Sequence, residues 1–174
     1  MKRALIVIAS LLATTPAFSQ TPYSGMQTRE IKALSDQQVA DLKTGRGMGL
    51  ALAAELNGFP GPSHVLELAD KLELTAEQRA RVKALFESMK AEALPLGSKL
   101  IEQEQDLDGK FAARTTTAEN LAASTASIAA TQGALRETHL KYHLSTASIL
   151  TDDQMRRYAD LRGYGGQAVH HHHQ

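Results

Sequence analysis

The chain has 174 residues, 22% of them charged, with 19 Lys and Arg against 19 Asp and Glu and so no formal net charge. That balance lacks the basic excess nucleic acid demands, and the absence of cysteine excludes a disulfide framework and a thiol nucleophile. Trp is absent and aromatic residues make up 5%, so a core must be built from Leu, Ile, Val, Met and Ala.

Residues 1–19 read as a secretory signal peptide. Met1-Lys2-Arg3 is basic, Ala4 to Ala13 is an apolar run too short to span a bilayer, and Ala17-Phe18-Ser19 has the small-x-small form of a cleavage site. Gln20 follows where a lipoprotein would have Cys, so a soluble mature chain in the periplasm is expected. Residues 20–61 read as a flexible lead, polar to residue 33, and then an N-terminal helix from Ser35 carrying Val39 and Leu42. Gly45, Gly47 and Gly49 interrupt its continuation through Met48, Leu50, Leu52 and Leu56, at about 1 kcal/mol each. Asn57-Gly58-Phe59-Pro60-Gly61-Pro62 is a turn, with Ser63 the expected cap of a short helix from His64 to Leu72.

Residues 62–164 form the main domain. Val82, Leu85, Met89, Ala93, Leu96, Leu100, Gln103 and Leu107 recur at spacings of three and four, the stripe of one long amphipathic helix. Pro95 lies within it and is expected to kink it without ending it, because the stripe stays in phase. Arg114 to Thr117 is a turn. Thr117 then caps a helix in which Leu121, Ile128, Leu135, Tyr142 and Ile149 recur every seven residues, a seam suited to supercoiled packing. A last short helix starts at Thr151 and stops near Gly163, and residues 165–174 read as a disordered His-rich tail. The predicted fold is all-α, a long antiparallel helical hairpin with short flanking helices and arms of roughly 50 Å. So thin a hairpin is expected to pair as a homodimer or to be wrapped by its own N-terminal helix. No catalytic constellation or phosphate-binding loop is present, so no enzyme activity is expected and no cofactor is required.

One pattern, Leu-Ser/Thr-x-x-Gln, recurs at Leu34-Ser35…Gln38, Leu74-Thr75…Gln78 and Leu150-Thr151…Gln154. The hydroxyl can accept from the backbone N–H three residues on while the Gln reaches back to the cap's own N–H, satisfying two orphan donors at a helix start. The preceding Leu can staple onto the fourth helical residue, Val39 after Leu34 and Met155 after Leu150. Two Leu-Thr-x-x-Gln copies flanking a hairpin behind a signal peptide resemble the Spy/CpxP family and the related ZraP- and CnrX-type periplasmic heavy-metal proteins. The resemblance covers roughly residues 62–164 and carries Leu74, Thr75, Gln78, Leu150, Thr151 and Gln154 over as structural caps. It implies an envelope-stress protein without a catalytic centre: an ATP-independent chaperone for unfolded periplasmic proteins, a regulatory partner of a membrane sensor protein, or a metal sensor.

The metal reading has its own residues. His139 and His143 lie at i, i+4 on one helix face, where two imidazoles can meet one ion or simply edge the seam. The resemblance implies a metal-binding His on this helix with Met four residues on, where His143 stands here. His64, at the other chain end of the hairpin, is expected to approach that pair, with Glu67 three residues on offering an oxygen. His170, His171, His172 and His173 form a tract that collects zinc, nickel, cobalt or copper unselectively. Four histidines in place of six, the following Gln174 and the intact leader favour a natural tail over a tag remnant. The chaperone reading rests on the first arm, where Arg79, Arg81, Lys83, Lys90, Lys99, Lys110 and Arg114 are interleaved with Met89, Leu94 and Phe111.

Overall fold

The computed structural model describes residues 23–164. All regular elements among them are helical: a 3-10 turn at Met26–Thr28, then α1 Asp36–Thr44, α2 Leu52–Glu55, α3 Pro62–Glu67, α4 Ala76–Ala112, α5 Ala118–Ala147 and α6 Asp152–Leu161. The signal peptide and the His-rich tail lie outside the described residues. Helices α4 and α5 pack antiparallel as the expected hairpin, joined by a turn in which Arg114 takes a positive φ of 56°.

All three Leu-Ser/Thr-x-x-Gln segments close as two-way caps, Ser35 with Gln38, Thr75 with Gln78 and Thr151 with Gln154. Thr117 forms a fourth with Asn120. Two of these boxes are also joined to each other. Gln78 Nε2 donates to Gln154 Oε1 (2.9 Å) and to the Ile149 carbonyl (3.0 Å). Gln154 Nε2 donates to Gln78 Oε1 (3.0 Å) and to the Leu72 carbonyl (3.3 Å). Each amide therefore caps its own helix through its oxygen and holds the chain entering the other helix through its nitrogen. Glu at either place would cap as well but lacks the NH2 needed for the second task. The boxed end of the hairpin is thus fastened where α4 starts and α5 ends. Beneath it Val65, Ala69, Leu72, Leu74, Val82, Ile149, Leu150 and Tyr158 form one apolar cluster, with Met155 packed on it. Full burial of a side chain such as Val65 or Leu72 contributes about 1.5–3 kcal/mol.

A second cluster lies farther along the hairpin, where Ala93, Leu100 and Ile101 of α4 and Ile128 and Leu135 of α5 bury Ile31, Leu34 and Leu42. The lead is therefore anchored from Ile31 onward, a departure from the flexible segment expected, because the hairpin's own arms do not cover the whole of their apolar face. Residues 30–50 run antiparallel to α4, from Lys32 beside Asp108 (3.3 Å) to Gly45 beside Ala93. Contact is closest at Gly97, where an added Cβ would lie 2.5 Å from the Leu42 carbonyl oxygen.

Two further expectations are revised, both on the third helix, while the N-terminal helix breaks where its glycines place the interruption. The N-terminal helix stops at Thr44, since Gly45 adopts a left-handed φ of 69° and caps it; only the single turn of α2 follows. The third helix begins at Pro62 with Gly61 as its cap, because proline's fixed φ suits the first helical position, so Ser63 is inside the helix. It also ends at Glu67, short of Leu72. Helix α4 continues through Pro95, as the unbroken stripe predicts; Pro95 is exposed, and so is Ala91, whose carbonyl loses its intrahelical donor.

Candidate functional site

Between the boxed end and the second cluster, a cavity of about 720 Å³ separates the hairpin from the strap formed by residues 45–61. Met89 and Phe86 of α4, His139 and His143 of α5, His64 and Glu67 of α3, and Arg162 near the chain end line it. Helical spacing sets His139 and His143 on one face of α5, and both are buried, at 3% and 8% exposure.

The organising group is Glu55, at the end of α2 and 6% exposed. Its carboxylate accepts from the Tyr158 hydroxyl of α6 and from the Gly61 N–H (3.2 Å). His64 Nδ1 and Arg162 Nε each lie 3.6 Å away, and His143 Nδ1 3.8 Å away. Burial pushes the Glu55 carboxyl up, but His64, the Tyr158 hydroxyl and the Gly61 N–H outweigh it and hold it down at about 2. Glu55 is therefore an anion in a polar clasp. Burial and the neighbouring carboxylate together raise the Tyr158 phenol well above its ordinary range.

His143 fastens the strap a second way. Its Nδ1 sits 2.7 Å from the Phe59 carbonyl, which only accepts, so Nδ1–H is the donor. The ring packs so closely on Gly61 that a Cβ there would fall 2.8 Å from Nε2. His139 is placed differently: its Nε2 is buried with no hydrogen-bond partner, and Gly47 lies against its ring. Burial and the adjacent His143 hold the His139 pKa below the ordinary value, so the ring is neutral. His64 Nδ1 and Arg162 Nε are also buried without a hydrogen-bond partner.

His64 and His143 are thus brought to one carboxylate, but it is Glu55 and not Glu67. Glu67 lines the same cavity on its exposed side and accepts from Ser63 Oγ (3.3 Å), its neighbour one helical turn back. His170 to His173 lie outside the described residues. Among the described residues, no group of three His, Asp or Glu side chains is arranged to hold a metal ion. As placed, the Glu55 oxygens accept from Tyr158 and Gly61 and His143 Nδ1 donates to Phe59, so the cluster forms a hydrogen-bonded clasp on the strap. Local sequence pattern does not point to Glu55, Tyr158 or Arg162. The available signal is Glu55 itself, a lone charge in the apolar run Leu50–Leu56 just before a Pro/Gly turn.

No helix of the described residues is long and apolar enough to cross a membrane. A family model described as LTXXQ motif family protein matches residues 62–162, more than half of the chain. No curated protein and no solved structure shows significant similarity to the chain.

Proposed function

The chain belongs to the LTXXQ motif family, and from that premise we propose that it is a periplasmic envelope-stress protein that works by binding, as an ATP-independent chaperone for unfolded proteins. The observation that carries this reading is the apolar surface left uncovered on the hairpin and strap. Leu52, Leu56, Leu144 and Phe111 are more than half exposed, and Phe59 and Leu94 are exposed as well. Arg81, Lys83 and Lys99 of α4 are exposed too. Such a surface can hold an unfolded chain by apolar contact and charge steering without fixing one geometry. The measurement is light scattering from a thermally or chemically denatured client, without ATP or metal. Suppression at near-stoichiometric amounts is expected, with Phe111→Ser and Leu144→Ser each weakening it. No suppression at several-fold excess would end this reading.

A second reading, binding of zinc, nickel, cobalt or copper, is favoured by the unpartnered His139 Nε2 and His64 Nδ1 on one cavity. It requires His64 and His143 to turn away from Glu55 and Phe59. Calorimetric metal titration of the mature chain with and without residues 167–174, repeated on His139→Ala/His143→Ala, separates it. Stoichiometric binding that survives the double substitution and tail removal would place any metal elsewhere.

A further inference from the structure

We propose that the apolar groove of the hairpin holding Ile31, Leu34 and Leu42 is itself a client-binding surface, occupied in cis by the chain's own residues 31–44. The expected occupant in trans is a segment of unfolded polypeptide with apolar residues three to five positions apart. This rests on the chaperone reading.

The kind of contact supports it. Leu42 is 2% exposed and Ile31 3%, so the segment is seated deeply. Its polar ties to the hairpin are confined to one end, where Lys32 pairs with Asp108 and Glu30 accepts from Gln105 Nε2 (3.3 Å). From residue 33 to residue 50 no hydrogen bond or ion pair to α4 or α5 is found among the described residues; the side-chain bonds of α1 stay within α1 and its caps. A seat made of shape and apolar area alone is one that another apolar segment can take.

The segment is also built to leave. Helix α1 has 9 residues, below the length at which a helix is stable alone, so it depends on the groove for its structure. It is followed by Gly45 and Gly49 at positive φ, with Gly47 between them, a run that can absorb a change of direction. Under the cover, on the face that includes Ile101 and Asp108, Glu104 is 9% exposed and makes no hydrogen bond or ion pair among the described residues. Its burial works against the covered state. The groove from Ala93 to Leu107 spans roughly 20 Å of helix, room for a short client segment.

The chain has no cysteine, which makes a clean test available. A Cβ on Gly45 would stand 3.8 Å from the Ala93 Cβ, a separation suited to a disulfide, and the strain of a side chain at the positive φ of Gly45 is common to the oxidised and reduced forms being compared. In the full mature chain, Gly45→Cys/Ala93→Cys is compared oxidised and reduced, with denatured client and with an apolar peptide labelled for anisotropy. Oxidation is expected to weaken peptide affinity and aggregation suppression ~10-fold or more by removing the open population, and reduction is expected to restore both. Gly97→Val, whose side chain must displace the Leu42 backbone, is expected to do the opposite and bind more tightly. Circular dichroism of both variants checks that α4 and α5 remain helical. Equal activity of the oxidised and reduced forms overturns this inference and leaves the chaperone reading standing. No suppression or peptide binding by any form overturns both.

Discussion

The two halves of the surface between the N-terminal segment and the hairpin are held by different physics. At the boxed end, Gln78 and Gln154 bridge the starts of α4 and α6, and Glu55 gathers Tyr158, Gly61, Arg162 and His64 around one buried charge. Farther along, α1 lies on Ala93, Gly97 and Ile101 through apolar contact alone. Directional bonds specify one arrangement and are costly to break singly, because each leaves a buried partner unsatisfied. Apolar contact fills a groove without specifying its occupant. One molecule thus combines a fixed anchor with an exchangeable cover.

The largest effect is expected from removing the anchor. Glu55→Ala leaves the Gly61 N–H, the Tyr158 hydroxyl and Arg162 without their carboxylate, and should cost ~3–5 kcal/mol in urea unfolding. The same group sets an acid limit. Its folded pKa of about 2 lies below the ordinary 4.5, so its contribution is fully present above 4.5 and is lost as pH falls through 2. The shift corresponds to ~3 kcal/mol. Glu55→Gln should flatten that part of the stability–pH profile.

Next in size is a matched pair of substitutions. Gln78→Glu keeps the cap acceptor but removes the donors to Ile149 and Gln154, with an expected loss of ~2–3 kcal/mol. Gln38→Glu is the same change in a box whose Gln bonds only within its own cap, so a loss below ~0.5 kcal/mol is expected. Equal losses would mean that the bridge between boxes adds nothing.

The boxes also show what could be read from the chain. The hydroxyl-x-x-Gln spacing is local, and so is the three-four stripe of α4; both describe neighbours within one helix. The seven-residue seam appears as buried Ile128, Leu135 and Tyr142, with Leu121 half-buried and Ile149 buried just past the end of α5. The second job of Gln78 and Gln154 was hidden, since a bond spanning 76 residues leaves no mark on the local pattern. Helical spacing points to Glu67 as the acidic partner of His64, yet α3 ends there and Glu67 is exposed. Glu55 reaches the histidines only because the Phe59-Pro60-Gly61 turn folds α2 back onto α5. That the N-terminal helix wraps the hairpin is one of the two arrangements expected of so thin a fold, but the place where α1 docks is not legible, since it depends on Gly97 lacking a Cβ where Leu42 arrives.

The smallest effect belongs to the cover. Burial raises the Glu104 carboxyl, so its charge opposes the covered state above its folded pKa and the penalty eases as pH falls through that value. Glu104→Gln should stabilise the chain slightly at neutral pH in the same urea assay, with less gain in acid.

Native-state hydrogen exchange across the mature chain weighs anchor against cover most directly. Amides of Ala40 to Thr44 in α1 are predicted to exchange on the order of 100-fold faster than those of Leu85 to Met89 in α4, through an opening that leaves the hairpin folded. If α1 instead exchanges only with global unfolding, at the same free energy as α4, the cover does not detach and the contrast between the two halves is wrong.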